Sequence, residues 1–156
     1  MNKRQQVLNR LDKTWRALEE SYAGLSEVEM SEPGVTGSWS VKDIIAHVTT
    51  WEEEALKHLP LILMGEKPPR YSVTHGGINA FNAAMTVQKR DLEFAEVLRQ
   101  RDAVHQRIIE YIETIPEDHL GSDARFRRRL RADTYSHYPI HAKAISNWRA
   151  RGSATP

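Results

Sequence analysis

The chain has 156 residues, with 22 lysines and arginines against 21 aspartates and glutamates, seven histidines and no cysteine. That length predicts one domain, 1–156, with a core at about 3–151. The missing cysteines exclude disulfides, thiol nucleophiles and thiolate-held zinc or iron–sulfur centres, so a transition metal would need His, Asp or Glu. A net charge of +1 argues against a nucleic-acid partner. The opening MNKRQQVLNRLDK has no apolar run, and nothing approaches the ~18 apolar residues of a membrane span. A soluble, cytoplasmic protein without a membrane role is expected.

Val7, Leu8, Leu11, Trp15, Leu18 and Tyr22 keep a three-to-four spacing. They predict a first helix over 2–22, stopped by Gly24. Residues 26–37 carry Pro33, Gly34 and Gly37 and read as a connection. Ser40 followed by Asp43 is a helix start, with Trp39 placed to pack back on the first turn. In the helix that follows, Ile44, Val48, Ala55 and Leu59 form one stripe. Ile44, His47, Trp51, Glu54 and His58 form the stripe beside it, so His47 borders the buried face. Pro60 kinks or ends this helix, and Gly65 is the stronger stop.

Residues 65–77, GEKPPRYSVTHGG, are the longest loop, either a partial lid on a pocket or a plain surface connection. The third helix reads as split. Ile78, Phe81, Asn82 and Met85 mark a piece to about Arg90. Phe94, Val97, Leu98, Val104, Ile108, Ile112 and Ile115 mark a second piece, with Asp91 as its cap and His105 beside its apolar stripe. Arg125, Arg127, Arg128, Arg129 and Arg131 put five arginines in seven positions. They read first as a solvated helical turn, then as an anion anchor beside a pocket, and least as a nucleic-acid surface, because the overall charge balance is near neutral. Arginines at a helix start oppose the macrodipole and call for acidic partners such as Glu52–Glu54 or a ligand.

The last stretch, LRADTYSHYPIHAKAISNW (130–148), places Leu130, Thr134, His137, His141, Ala144 and Trp148 on one helical stripe. His137 and His141 stack one turn apart on it. Such a pair is a metal-ligand pair or two hydrogen-bonded core histidines. Pro139 between them should bend the helix, because it removes the bond to the Tyr135 carbonyl. No segment alternates with period two, so the fold class is all-α: an antiparallel four-helix bundle with its third helix split.

Two stretches, GSWSVKDIIAHVTTWEEEAL (37–56) and RADTYSHYPIHAKAISNWRAR (131–151), together resemble the DinB/YfiT-like superfamily, and more closely its ClbS/DfsB branch. INAFNAAM (78–85) fits that branch as well. The resemblance spans nearly the whole chain. It implies a histidine triad that binds a divalent metal in many members, and this falls on His47, His137 and His141. Nickel, zinc and iron all suit imidazole. Asp133 and Glu54 are candidate carboxylates to orient those rings, against a capping or solvent-facing Asp133 and a Glu54 paired with Lys57 or His58.

Superfamily members share a fold rather than a reaction. The resemblance implies a hydrolase or a transferase using a low-molecular-weight thiol, acting on a small-molecule substrate in detoxification or stress protection. Trp51 and Thr134 would line its pocket. The alternative is a metal-free protein that sequesters a reactive small molecule without catalysis. A homodimer is expected by analogy.

Overall fold

A computed structural model describes residues 1–153. Helix α1, Lys3–Tyr22, begins where the Asn2 side chain accepts the Gln5 amide at 2.8 Å. It buries Val7, Leu11, Trp15, Leu18 and Tyr22 on one face. Gly24, at φ 82°, takes the left-handed turn that ends the run. A short helix, α2 (Glu27–Met30), interrupts the connection that follows, closed by a Ser26–Glu29 capping box.

Helix α3, Val41–Leu63, starts at the Ser40–Asp43 pair. The Asp43 amide donates to Ser40 Oγ at 3.1 Å, and the Ser40 amide donates to Asp43 Oδ2 at 3.0 Å. Two of the donors at the helix start are thereby satisfied. Pro60 lies inside the helix without ending it, and Gly65, at φ 83°, follows its end. Helices α4 (Tyr71–Thr74) and α5 (Ile78–Lys89) come next. Of α5 only Phe81 is buried, and the helix lies against α3 as a cover rather than as a bundle member.

Helix α6, Phe94–Glu113, returns along α3 and buries Val97, Val104, Ile108 and Ile112. A 3-10 turn at Glu117–Leu120 leads to α7 (Arg125–Asp133) and α8 (Tyr138–Ser153). Helix α8 packs on α1, and α7 on α3. The bundle is therefore α1, α3, α6 and the α7–α8 pair, around a cluster that includes Leu11, Ile44, Leu59, Ile108, Leu130 and Ile145. The described residues hold no strand beyond one bridge between Thr36 and Trp39. None of their helices is long and apolar enough to cross a membrane.

The expected single helix over 130–148 is corrected. It breaks at Thr134, whose φ −129° and ψ −99° lie outside the helical region. The Thr134 hydroxyl donates to the Leu130 carbonyl at 2.5 Å. Pro139 then occupies the first turn of α8, where an amide has no helical partner to lose. The proline therefore starts a helix instead of bending one.

Candidate metal centre and adjoining pocket

Three elements bring three histidines together. His47 projects from the second turn of α3, His137 ends the break before α8, and His141 sits one turn into α8. His137 Nε2 lies 3.1 Å from His47 Nε2 and 2.9 Å from His141 Nε2. His141 is buried, and the other two are half-buried. The Trp39 ring backs His47 at 4.6 Å between centroids.

Burial dominates the electrostatics. It pushes His47 down to about 3, with the neighbouring His137 and His141 adding to the shift. His137 also falls to about 3, through burial and then His141. Burial lowers His141 to about 4. All three rings are therefore neutral at pH 7. Unfolded, each would protonate near 6.5. Below that pH the unfolded chain binds more protons than the folded one, so these histidines withdraw stability as pH falls from about 6.5 toward 4, and are silent above 7. Asp133, which burial raises to about 6, acts in the opposite direction. The His137→Gln variant isolates the histidine contribution. In metal-free protein its melting temperature is expected to fall less between pH 7 and 4.5 than that of the wild type. Parallel pH profiles would contradict the assignment.

The donor set fits a divalent ion. Three neutral imidazole nitrogens facing one another repel through their lone pairs unless a proton or a cation lies among them. Two imidazole nitrogens each about 2.1 Å from a common ion stand about 3 Å apart when they meet it at a right angle. The observed separations match that spacing. Neither candidate carboxylate reaches the rings. Asp133 Oδ2 instead takes the Arg129 Nε–H at 2.6 Å, and Glu54 Oε1 takes the Tyr71 hydroxyl at 3.0 Å. Nδ1 of His137 and of His141 has no hydrogen-bond partner among the described residues. The Asp133 carbonyl near His137 opposes the lowering of its pKa but makes no hydrogen bond of normal geometry. Helix placement and ring packing hold these rings, not a second layer of acids.

His47 and His137 form part of the wall of a 280 Å³ cavity, together with Trp51, Ile78, Asn82 and Asp133. Trp51, which the resemblance puts in a substrate pocket, lines this cavity. Thr134, expected beside it, does not: it is fully buried and spends its hydroxyl on the Leu130 carbonyl. Its position on a presumed continuous stripe produced that error. In the 65–77 segment, Tyr71 packs against Trp51 at 5.3 Å and Phe81 at 5.2 Å. Its hydroxyl accepts from Arg129 Nη2 at 2.9 Å while donating to Glu54. That anchoring fits a pocket wall better than a free connection.

The arginine cluster divides. Arg127 is buried, donating to the Leu120 carbonyl and the Tyr135 hydroxyl, while Arg129 joins Asp133 and Tyr71. Arg125, Arg128 and Arg131 are exposed, and none forms a salt bridge to an acidic side chain among the described residues. Two features escaped sequence reading. Asn82 accepts the Trp51 indole N–H at 2.9 Å, a contact 31 residues apart that no spacing signals. Glu52 is fully buried and receives His105 from α6 and Tyr138 from α8. The sequence offers the Glu52–Glu54 run as acidic partners for the arginine cluster, but Glu52 turns into the core.

The model of the DinB superfamily matches residues 10–142. No curated protein matches. Among solved structures, the colibactin self-resistance protein ClbS in complex with a dsDNA aligns with a TM-score of 0.81 at 14% identity, over 94% of this chain and 95% of that one. An uncharacterised protein from Escherichia coli UTI89 aligns with a TM-score of 0.76, also at 14% identity, over 98% of this chain and 96% of that one. These likenesses establish the all-helical fold. The ClbS complex also corrects the expectation that no nucleic acid is involved. This fold is seen on DNA, and net charge sums over the whole surface while phosphate contacts depend on local clusters.

Proposed function

This chain belongs to the DinB superfamily, and we propose that it is a metal-dependent small-molecule enzyme, a hydrolase or thiol transferase, serving detoxification or stress protection. The observation that carries the reading is the convergence of three neutral imidazole nitrogens, two of them from residues that line a 280 Å³ cavity. His47, His137 and His141 would hold the ion. A divalent ion there supplies Lewis acidity and makes water or a thiol more acidic at neutral pH. Trp51 offers an apolar face for the substrate, and Tyr71 pins the 65–77 segment beside it, limiting water. The Asp133 carboxyl, raised to about 6, is placed in the wall to hold or release a proton near neutrality.

The test is metal content of untagged protein, followed by assays of hydrolysis and of glutathione-type transfer with strained or activated electrophiles. About one equivalent of nickel, zinc or iron, with turnover lost on chelation, is the expected result. No metal uptake at neutral pH from any of the three ions would overturn the reading in favour of metal-free sequestration.

A second reading rests on a separate observation: Arg125, Arg128 and Arg131 lie exposed on α7, and ClbS is the one of these structural neighbours seen with dsDNA. Here α7 would lie against the phosphate backbone. Three arginine–phosphate contacts imply a log-affinity slope near −2.7 against log salt, about −0.9 for each contact. Arg128→Ala is expected to reduce that slope by about 1 and to weaken binding to all sequences alike. A slope unchanged in the variant would remove α7 from the DNA surface.

A further inference from the structure

Asn82 stands one turn into α5, half-buried, in the cavity wall shared by His47 and His137. Its Oδ1 accepts the Trp51 indole N–H at 2.9 Å. An indole nitrogen only donates, so it fixes which end of the amide faces Trp51. The Asn82 NH2 group is left with two protons and no acceptor among the described residues. Trp51 itself is held by ring contacts to Tyr71 and Phe81, at 5.3 and 5.4 Å. The amide is thus oriented before any ligand arrives, a condition that lowers the entropy lost on binding.

The rest of the wall narrows the ligand. Trp51, Ile78 and Ala132 are apolar. No lysine or arginine is among the residues lining the cavity, and Arg129, the partner of the wall residue Asp133, is committed to Asp133 and Tyr71. A volume of 280 Å³ is at the lower end of ligand-pocket sizes. We propose that Asn82 Nδ2 is the substrate-orienting donor of this pocket, and that its ligand is a small neutral molecule with a carbonyl or amide oxygen beside an apolar body. The assignment rests on the pocket being the binding site, as proposed above, but not on a metal being present. Asn82 acts by holding the acceptor oxygen next to the triad, and the indole of Trp51 is its positioning residue.

The probe is N-methylbenzamide, titrated into 15N-labelled protein in metal-free and zinc-loaded forms. In both, the Asn82 side-chain NH2 signals are expected to move with saturation, together with the Trp51 indole N–H. Asn82→Asp keeps the oxygen that Trp51 requires and replaces the donor with a second oxygen. It should weaken binding about tenfold or more while the indole signal of the free protein stays in its hydrogen-bonded position. Asn82→Leu should weaken N-methylbenzamide but not ethylbenzene, a probe without the acceptor. Unmoved Asn82 signals at saturation, or equal affinity in the aspartate variant, would overturn the proposal. So would a wild type that binds neither probe, since that removes the pocket itself. Failure of the metal reading shows instead as absent metal uptake and leaves the metal-free titration unaffected.

Discussion

His137→Ala is expected to lower affinity for zinc, nickel or iron by a factor of about 100 to 1,000. His137 is the middle member of the triad: its Nε2 meets His47 at 3.1 Å and His141 at 2.9 Å. Removing it leaves two rings without the atom that relates them. Structural zinc sites with four ligands gain about 10–16 kcal/mol, hence about 3 kcal/mol for each ligand, which gives the stated factor. Stability should separate the variant from a misfolded one. Excess zinc raises the melting temperature of a protein that binds it only when folded. That rise should be present in the wild type and nearly lost in His137→Ala. Without metal the variant should melt close to the wild type, because the ring it removes is neutral and only half-buried. Equal zinc-induced shifts in both proteins would place the ion elsewhere.

Much of this arrangement was legible in the chain. The Ser40–Asp43 start, the α1 stripe and the gap between α5 and α6 are local signals, and the backbone follows them, although Glu93 and not the expected Asp91 stands at the start of α6. The pairing of His137 with His141 was equally plain from their spacing. The third member was not, because periodicity put His47 only at the border of a buried face, and the family resemblance had to single it out. Reading 130–148 as one helix misplaced Thr134 and misjudged Pro139. Whether a proline interrupts a helix or starts one depends on where the preceding turn ends, and here Thr134 ends it. The support for the site was hidden for a different reason. Asp133 and Glu54 had the right spacing to reach the histidines, but Arg129 and Tyr71 claim them first. Competition among partners far apart in sequence leaves no periodic trace.

The deepest such partnership sets the second large effect. Glu52→Ala is expected to destabilise the protein by about 3–5 kcal/mol, because two buried donors lose their shared acceptor, at about 1–3 kcal/mol each, and a cavity is left. Glu52 is fully buried on α3. Its Oε2 accepts the His105 ring from α6 at 2.8 Å and the Tyr138 hydroxyl from α8 at 2.8 Å. His105 in turn stacks on Trp15 of α1, with centroids 3.6 Å apart and planes 6° from parallel. One carboxyl thus links all four members of the bundle. Burial raises its pKa, while His105 and Tyr138 pull it back. Burial, and then the carboxylate itself, holds Tyr138 well above its ordinary value, so the phenol remains a donor. Alanine would leave both donors facing a void. Glu52→Gln retains one acceptor oxygen of the same shape and should recover a large part of the loss. At about 2–4 °C per kcal/mol for a chain of this size, the alanine variant should melt about 10 °C below the wild type. Tyr138 is the residue after His137, so loosening it should also weaken zinc binding although no ligand is altered. A Glu52→Ala protein that melts within about 2 °C of wild type would mean that the carboxyl is a passive occupant of the core, and the link between the bundle and the triad would have to be sought elsewhere.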